Sequence, residues 1–194
     1  GYIGSSLVPK LLALGHNVVV IDVQWFGRNL EHHPNLTISP GDCGKYFVGG
    51  VDTVIHLAGV ANDPCGELDP KVTWENNVLA TMRLAESSAR DTVKQFIYAS
   101  SGSVYGISDS IKVTEEHHLN PISEYNKTKM VAERVVLSYS DRMAVQILRP
   151  ATVCGFSPRM RLDVMVNSLT IQALTKGIIS VSYTHLRAHE TLMN

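Results

Sequence analysis

The sequence has few cysteines and no paired ones. Its three, Cys43, Cys65 and Cys154, lie far apart and form no Cys-x-x-Cys motif. A sparse, odd set argues against a disulfide framework or a zinc site, and it is typical of a reducing compartment. We therefore expect a cytoplasmic protein whose thiols are buried or incidental.

The sequence also lacks long hydrophobic runs and an excess of charge of either sign. Apolar runs such as Val18 to Ile21 are far shorter than the roughly 20 residues of a membrane span. The 17 basic and 18 acidic residues give a net charge of −1, which lacks the basic excess of a nucleic-acid-binding domain. We therefore expect neither a membrane nor a nucleic-acid partner.

A starting methionine is missing too, because the chain opens on Gly1 without a signal-peptide pattern. Its 194 residues correspond to about one and a third domains of typical size. With 44% hydrophobic residues the chain can bury a sizeable core, which excludes intrinsic disorder. We expect 194 residues to be less than the natural length.

Short β-branched segments alternate with longer helical ones. The sequence predicts buried strands at 17–23, 51–57, 93–99 and 144–148. It predicts helices at 74–90, at 123–140 and at 3–14, the last ended by Gly15. Regular alternation of strand and helix indicates an α/β fold, with a parallel sheet covered on both faces.

The first four residues, Gly1-Tyr2-Ile3-Gly4, lead directly into the first predicted helix. Glycines at a helix N-terminus let backbone N–H groups approach a pyrophosphate, whose charge the helix dipole favours. Asp22 lies 21 positions after Gly1 (22 minus 1), close to the spacing of about 20 for a carboxylate that binds the adenosine ribose. An acid there repels a 2′-phosphate, so the pattern favours NAD over NADP. An ordinary turn and helix cap would explain two glycines alone.

The rest of this dinucleotide fingerprint, a strand and an earlier glycine, would lie before residue 1. We therefore expect the chain to begin inside its own phosphate loop.

Tyr125 and Lys129 lie four residues apart on a predicted helix and hence on one face. An unperturbed tyrosine has a pKa of about 10, but a neighbouring ammonium and a nicotinamide cation favour the phenolate. A tyrosinate can take a proton from a substrate hydroxyl while the carbon gives hydride to NAD. Ser100 and Ser101 end a predicted strand, where doubly wound sheets bind ligands. The alternative is a solvated Tyr and Lys with two turn serines.

These residues together resemble the extended short-chain dehydrogenase/reductase family, the NAD-dependent epimerase/dehydratases, and most of all its nucleotide-sugar enzymes of the UDP-glucose 4-epimerase type. The matching segments follow the family's order: Gly1-Tyr2-Ile3-Gly4, Gly41-Asp42, His56-Leu57-Ala58-Gly59, Asn76-Asn77-Val78, residues 100–106, Tyr125 with Lys129, and Arg149-Pro150. The chain departs from the pattern at three places: Cys43-Gly44-Lys45 after Asp42, Gly59 for Ala, and Ala80 for Gly.

The resemblance implies a Rossmann-type doubly wound parallel sheet whose first strand is missing, followed by the start of a smaller substrate domain. It assigns residues 1–150 to an N-terminally truncated NAD-binding domain. Residues 151–181 would begin the substrate-binding domain, with a helix starting at 159–163. Residues 182–194 leave the family's pattern abruptly and look like a translated sequencing-adapter peptide. We expect this tail to be non-native, and we assign no metal site to its His185 and His189 because a third ligand is not evident.

The resemblance also implies the site residues. Counting back from the shared Val-Tyr-Gly places the catalytic hydroxyl on Ser101, beside Tyr125 and Lys129 as the other catalytic residues. Lys129 would orient the nicotinamide ribose and lower the pKa of Tyr125. The residues expected to bind NAD are Gly1, Tyr2, Ile3, Gly4, Asp22, Asp42, Leu57, Ala58, Gly59, Asn77, Ser100, Tyr125, Lys129 and Pro150.

We thus predict a nucleotide-sugar epimerase that oxidises a sugar hydroxyl on tightly held NAD and re-reduces it from the other face. Gly102 and Ser103 replace the Asp-Glu pair of the 4,6-dehydratases. Elimination of water needs an acid and a base there, so this replacement disfavours the dehydratases. Two alternatives stay open: an NAD(P)-dependent dehydrogenase or reductase of the same family, acting for instance on a sterol or ketone, and a non-catalytic dinucleotide-sensing domain.

We expect the complete parent to be a homodimer. The 194-residue chain itself should bind NAD poorly, be marginally soluble and be inactive.

Overall fold

A computed structural model of the chain describes residues 1–46, 48–108 and 112–180. The predicted non-native tail at 182–194 lies outside the described residues. The chain forms two compact units, one comprising Gly1–Gly41 with the segment that begins at Thr152, and the other comprising Asp42–Ala151. Residues 1–41 and 42–150, which the sequence assigns to one NAD-binding domain, thus belong to different compact units, and the predicted domain division stays a prediction.

The first unit opens with helix α1 (Tyr2–Ala13), followed by the parallel strands β1 (Val18–Asp22) and β2 (Leu36–Pro40). Gly15 follows α1 with a φ of +87°, a left-handed conformation that glycine adopts without strain and that commonly ends helices. Strand β2 is missing from the sequence prediction, because Leu36 and Ile38 are too few apolar residues to mark a strand.

The segment after Thr152 carries helix α6 (Met165–Lys176). The predicted helix start at 159–163 is wrong. These residues form a loop instead, because the buried Asn167 amide donates to the Arg161 carbonyl oxygen at 2.8 Å and accepts from the Gly155 N–H at 3.0 Å. Across the described ranges, helices are too short or too polar to cross a membrane.

The second unit is built on a parallel sheet with the strand order β3 (Thr53–His56), β4 (Gln95–Ala99), β5 (Ala144–Leu148). Helices α4 (Ala80–Arg90) and α5 (Glu124–Leu137) pack with this sheet around a buried cluster. Its fully buried members are Ala85, Val93, Phe96, Tyr98, Ala132 and Val136. The parallel α/β class predicted from the sequence is confirmed.

The predicted helix at 74–90 is more complicated than expected. Helices α2 (Asp63–Leu68) and α3 (Pro70–Trp74) precede a single π-helical turn at Glu75–Leu79, which continues into α4. Asp69 caps α3 by accepting from the Val72 N–H at 3.0 Å, a typical helix start before proline. The π-turn places Asn77 in the interior with 1% exposure, and such turns are frequent at functional sites.

Two of the strands are less buried than predicted. Val19 in β1 and Leu148 in β5 are each 52% exposed, whereas Phe96 and Tyr98 in the central β4 are almost inaccessible. Both exposed strands lie at an edge of their sheet as the described residues define it. Alternate strand residues point to opposite faces, so a strand covered on one face only keeps half of its side chains exposed.

Candidate active site

Helix α5 carries Tyr125 and Lys129 in its first two turns. The helix begins after Ser123, whose hydroxyl oxygen accepts from the Asn126 N–H at 3.1 Å and whose hydroxyl donates to Asp63 at 2.6 Å. The Lys129 ammonium nitrogen lies 5.9 Å from the centre of the Tyr125 ring. The structure therefore brings the two predicted side chains together, one helical turn apart.

Lys129 is a buried cation. Its side chain donates to the Ala99 carbonyl oxygen at 2.8 Å, at the end of β4, and lies 4.9 Å from the centre of the Tyr98 ring. Burial lowers the pKa of Lys129 from 10.5 to about 8, while the Glu133 carboxylate acts in the opposite direction. The amine is therefore mostly charged at neutral pH and places a positive charge beside Tyr125.

Ser100 and Ser101 follow β4 but have different surroundings. Ser100 is 5% exposed, and its hydroxyl donates to Glu133 in a very short hydrogen bond. Ser101 is only half-buried and caps a short 3-10 helix (Gly102–Tyr105), where its hydroxyl oxygen accepts from the Ser103 N–H at 3.2 Å. Ser101 is thus the serine with a side chain at the surface, and the Ser100 side chain is already bound within the protein.

The turn after β3, Leu57-Ala58-Gly59, lies close to Lys129. Gly59 has a φ of +149°, and a Cβ at this position would lie 2.6 Å from Asn77 Oδ1 and 4.0 Å from Lys129 Nζ. The Asn77 amide holds both backbone groups of Val60, at 2.8 and 3.1 Å. Gly59, which departs from the family pattern, is required here because alanine would overlap Asn77.

His56, at the end of β3, is a structural residue. It is 3% exposed, and its Nε2 lies 2.8 Å from Thr81 Oγ1. Burial, with a smaller effect of the Lys129 charge, lowers the pKa of His56 to about 3. The ring is therefore neutral at physiological pH.

Gly44 and Ala80, which are two further departures from the family pattern, lie in contact with each other. Asp42 caps the short 3-10 helix Cys43–Lys45 by accepting from the Gly44 N–H at 2.9 Å. A Cβ on Gly44 would lie 2.9 Å from both the Cα and the Cβ of Ala80. The glycine at 44 thus allows the loop to contact both the backbone and the side chain of Ala80. The Asp42 carboxylate, expected near the adenine, serves as the cap in this structure.

Two glycines position the segments around Tyr125 and Ser101. A Cβ on Gly66, in α2, would lie 2.9 Å from the Tyr125 Cβ, so α2 packs directly on the tyrosine. Gly106, the last residue of the Val-Tyr-Gly segment, has a φ of +66° and faces the Asn120 carbonyl, where a Cβ would overlap the oxygen at 2.0 Å. Only glycine fits at this position.

The ion pair between Glu133 and Arg149 is absent from the sequence prediction. Glu133 is 1% exposed, and both of its oxygens accept from Arg149, at 3.0 and 2.7 Å. The carboxylate, with a smaller contribution from the Tyr105 hydroxyl at 2.8 Å, holds the pKa of Arg149 above its usual range. Glu133 follows Lys129 by one turn on the same helical face. This spacing is the signal that could have predicted Glu133 as a residue of the site. Pro150, the next residue, accepts from the Gly102 N–H at 2.8 Å.

The remaining predicted site residues belong to the first unit. Gly1, Gly4 and Asp22 line one pocket together with Gln24 and Arg28. The Gly1 nitrogen lies 3.0 Å from Asp22 Oδ2, so the structure brings the glycine turn and the carboxylate together.

Tyr2 and Ile3 are absent from this pocket lining. The Tyr2 hydroxyl donates to the Gly155 carbonyl oxygen at 2.6 Å and accepts from Asn167 at 3.1 Å. Ile3 is 37% exposed. Within its unit, the Tyr2 side chain therefore anchors the segment after Thr152.

The chain is similar to known proteins over most of its length. Residues 1–185 match the model of the NAD dependent epimerase/dehydratase family. A UDP-glucose 4-epimerase of Lactobacillus helveticus is 30% identical over 166 residues, which covers 81% of the chain and 50% of the relative. UDP-glucuronic acid decarboxylase 1 of Xenopus tropicalis is 31% identical over 186 residues, covering 90% and 44%. The chain thus spans about half the length of these curated relatives.

A solved structure gives the same result for the fold. MoeE5 in complex with UDP-glucuronic acid and NAD aligns with a TM-score of 0.80 and 34% identity, over 91% of this chain and 59% of that one. The chain therefore belongs to the NAD dependent epimerase/dehydratase family, and its cofactor is NAD.

Proposed function

We propose that the chain is the NAD-binding and catalytic part of a nucleotide-sugar epimerase, which works by transient hydride transfer to bound NAD. The observation that carries this proposal is the buried Lys129 cation, 5.9 Å from the Tyr125 ring and hydrogen-bonded to the end of β4. A tyrosine next to a fixed positive charge suits proton transfer from a sugar hydroxyl. The relatives named for UDP-sugars support the substrate class.

The residues present fit NAD in both units. In the first, Gly1 and Gly4 have open space where a Cβ would stand, and they line a pocket with the Asp22 carboxylate. In the second, the Lys129 ammonium lies beside Tyr125 and the end of β4 as a charged donor suited to ribose hydroxyls. When bound, NAD supplies the hydride acceptor of its nicotinamide. Within the first unit, Gly1, Gly4 and Asp22 would hold the adenosine and pyrophosphate end. Within the second, Lys129 would hold the nicotinamide ribose.

Three side chains divide the proton chemistry. Tyr125 takes the proton of the sugar hydroxyl at its phenolate oxygen while the carbon gives up hydride, leaving a ketone. The Lys129 ammonium stabilises the phenolate and orients the nicotinamide ribose. Ser101 hydrogen-bonds the reacting oxygen. In the return step Tyr125 would give the proton back to the oxygen, and reduction on the other face of the ketone would invert the carbon.

A second candidate is decarboxylation of a UDP-uronic acid. The Xenopus tropicalis decarboxylase, at 31% identity, favours it as strongly as the epimerase favours the first. Both reactions can begin with the same oxidation, so the residues above serve either. They differ in the fate of the ketone, which is reduced in the epimerase and loses carbon dioxide in the decarboxylase. A net dehydrogenase would instead release NADH.

The products of defined substrates decide among these reactions. The gene product that contains this chain is incubated with NAD and with UDP-glucose or UDP-glucuronic acid deuterated at C4, and the products are identified by mass spectrometry and NMR. The proposal expects the 4-epimer with deuterium retained and without accumulation of NADH. A pentose product would establish the decarboxylase, and stoichiometric NADH the dehydrogenase. The homodimer and the cytoplasmic location stay predictions from the sequence.

A further inference from the structure

Two successive turns of α5 bind two successive residues at the end of β4. Lys129 donates to the Ala99 carbonyl oxygen at 2.8 Å. One turn later on the helix, Glu133 accepts a very short hydrogen bond from the hydroxyl of Ser100. The next residue in the chain is Ser101, which the sequence predicts to be the catalytic hydroxyl. Glu133 is therefore joined to the same strand end that receives Lys129.

The Glu133 carboxylate is surrounded by donors. Its Oε1 accepts from Ser100 Oγ and from Arg149 Nε at 3.0 Å, and its Oε2 accepts from Arg149 Nη2 at 2.7 Å. An ionised carboxylate only accepts hydrogen bonds, so three donors match its charged form. Two of them belong to the rigid fork of one guanidinium, which fixes the orientation of the carboxylate. Because Glu133 is 1% exposed, solvent screens its charge poorly and the charge acts on neighbouring groups.

The titratable groups that face Lys129 come from three elements. On β4, the centre of the Tyr98 ring lies 4.9 Å from the ammonium, and burial raises the pKa of Tyr98, so its phenol is neutral. On β3, His56 is neutral too, because burial and the Lys129 charge lower its pKa to about 3. Helix α5 itself contributes Tyr125 and Glu133. Glu133 is the carboxylate among these described neighbours, and it opposes the burial that lowers the pKa of Lys129 to about 8.

We infer that Glu133 is a positioning residue, which keeps Lys129 charged and seated at the end of β4 beside Tyr125. This inference rests on the proposed function, in which the charge of Lys129 stabilises the phenolate of Tyr125. Without the carboxylate, the effect of burial on Lys129 would be unopposed, so the amine would lose its proton at a lower pH. An ion pair with a purely structural role would change stability and leave the titration of Lys129 unchanged.

The first test follows the proton of Lys129 and needs no turnover. The gene product that contains this chain is labelled with ¹³C-lysine, and the Lys129 resonance is identified by its loss in Lys129→Met. Its titration is followed by NMR at pH values on both sides of 8. Glu133→Gln keeps the shape of the side chain and removes an opposite charge one helical turn away, so the midpoint should fall by about one pH unit. A midpoint that stays in place or rises in the folded variant overturns the inference.

Arg149→Lys is the matched control. It keeps both charges of the pair and removes the two-pronged contact with the carboxylate, so the Lys129 midpoint should stay near the wild-type value whatever happens to stability. An equal fall of the midpoint in Arg149→Lys and Glu133→Gln would assign the effect to structure and overturn the inference.

A second variant keeps this test decisive if circular dichroism shows that Glu133→Gln does not fold. Glu133→Gln combined with Arg149→Met removes the whole pair and leaves no buried charge unpaired. The midpoint should fall in this variant too, because Glu133 is the member of the pair that raises the pKa of Lys129. An unchanged midpoint in the combined variant overturns the inference as well.

The second test measures turnover of the UDP-sugar by the NAD-loaded gene product as a function of pH. The pH at which turnover declines on the alkaline side should fall by about one unit in Glu133→Gln and stay in place in Arg149→Lys. An alkaline decline that does not move in an active Glu133→Gln overturns the inference and leaves the proposed function intact. A Lys129 midpoint that falls as expected, in a wild type that forms neither product nor NADH, counts against the proposed function alone.

Discussion

Replacing Lys129 with methionine removes a buried cation and keeps an unbranched side chain of similar length. Burial lowers the pKa of this lysine from 10.5 to about 8. A lysine whose pKa is depressed by folding destabilises the fold wherever the unfolded chain still carries the charge. The cost is fully present below pH 8 and is lost as the pH rises towards 10.5.

The size of this cost follows from the two pKa values. At about 1.4 kcal/mol for each pKa unit, the difference between 10.5 and about 8 corresponds to about 3 kcal/mol at neutral pH. Between pH 7 and pH 9.5 about 2 kcal/mol of it disappears. The hydrogen bond from Lys129 to the Ala99 carbonyl oxygen stabilises the wild type by about 1 kcal/mol, and this contribution varies little over this pH range.

The assay is urea unfolding of the chain followed by circular dichroism at several pH values from 7 to 9.5. The free energy of unfolding of Lys129→Met minus that of the wild type should fall by about 2 kcal/mol across this range. Lys127→Met is the matched control, since Lys127 is a partly exposed lysine on the same helix paired with Glu124 at 2.8 Å. A difference between Lys129→Met and wild type that does not change with pH would refute the reasoning.

Three further changes test the packing around the site. Gly44→Ala should destabilise the chain by about 1–3 kcal/mol in urea unfolding, because its Cβ meets Ala80 at 2.9 Å. Adding Ala80→Gly should recover only part of that loss, because the Cα of residue 80 lies as close to the added Cβ as the removed methyl group does, and complete recovery would contradict this contact. Gly66→Ala should displace Tyr125 and lower turnover by on the order of tenfold, with unchanged turnover as the contrary result. Glu133→Gln should cost about 1–3 kcal/mol by urea unfolding, because the partly buried Arg149 loses its charged partner.

The parts of the fold that local pattern determines were accessible from the sequence. Strand β5 has the bounds predicted for it, and Gly15 follows the first helix with the positive φ expected of a C-terminal glycine. Tyr125 and Lys129 lie together because their spacing on a helix is enough to fix their relation. Gly1 and Asp22 line one pocket, in agreement with a spacing that is equally local, while their binding of NAD stays a prediction.

The parts that depend on distant neighbours could not be read from one sequence. The helix start near 160 was wrong because the side chain of Asn167 competes for the backbone of the preceding loop. The partnership of Glu133 with Arg149 joins a helix to the end of a strand, so neither residue signals the other. The same holds for Gly44 and Ala80, whose close contact is visible only once the two backbones meet.

The central claim, that Tyr125 transfers the proton of a sugar hydroxyl beside a fixed cation, is tested most directly by removing one oxygen atom. Tyr125→Phe is compared with Tyr139→Phe, a partly buried tyrosine beyond the end of the same helix, for turnover of the UDP-sugar and for NAD affinity in the gene product. The account predicts near-complete loss of turnover in Tyr125→Phe, with NAD affinity retained, and wild-type turnover in Tyr139→Phe. Wild-type turnover in Tyr125→Phe would contradict it.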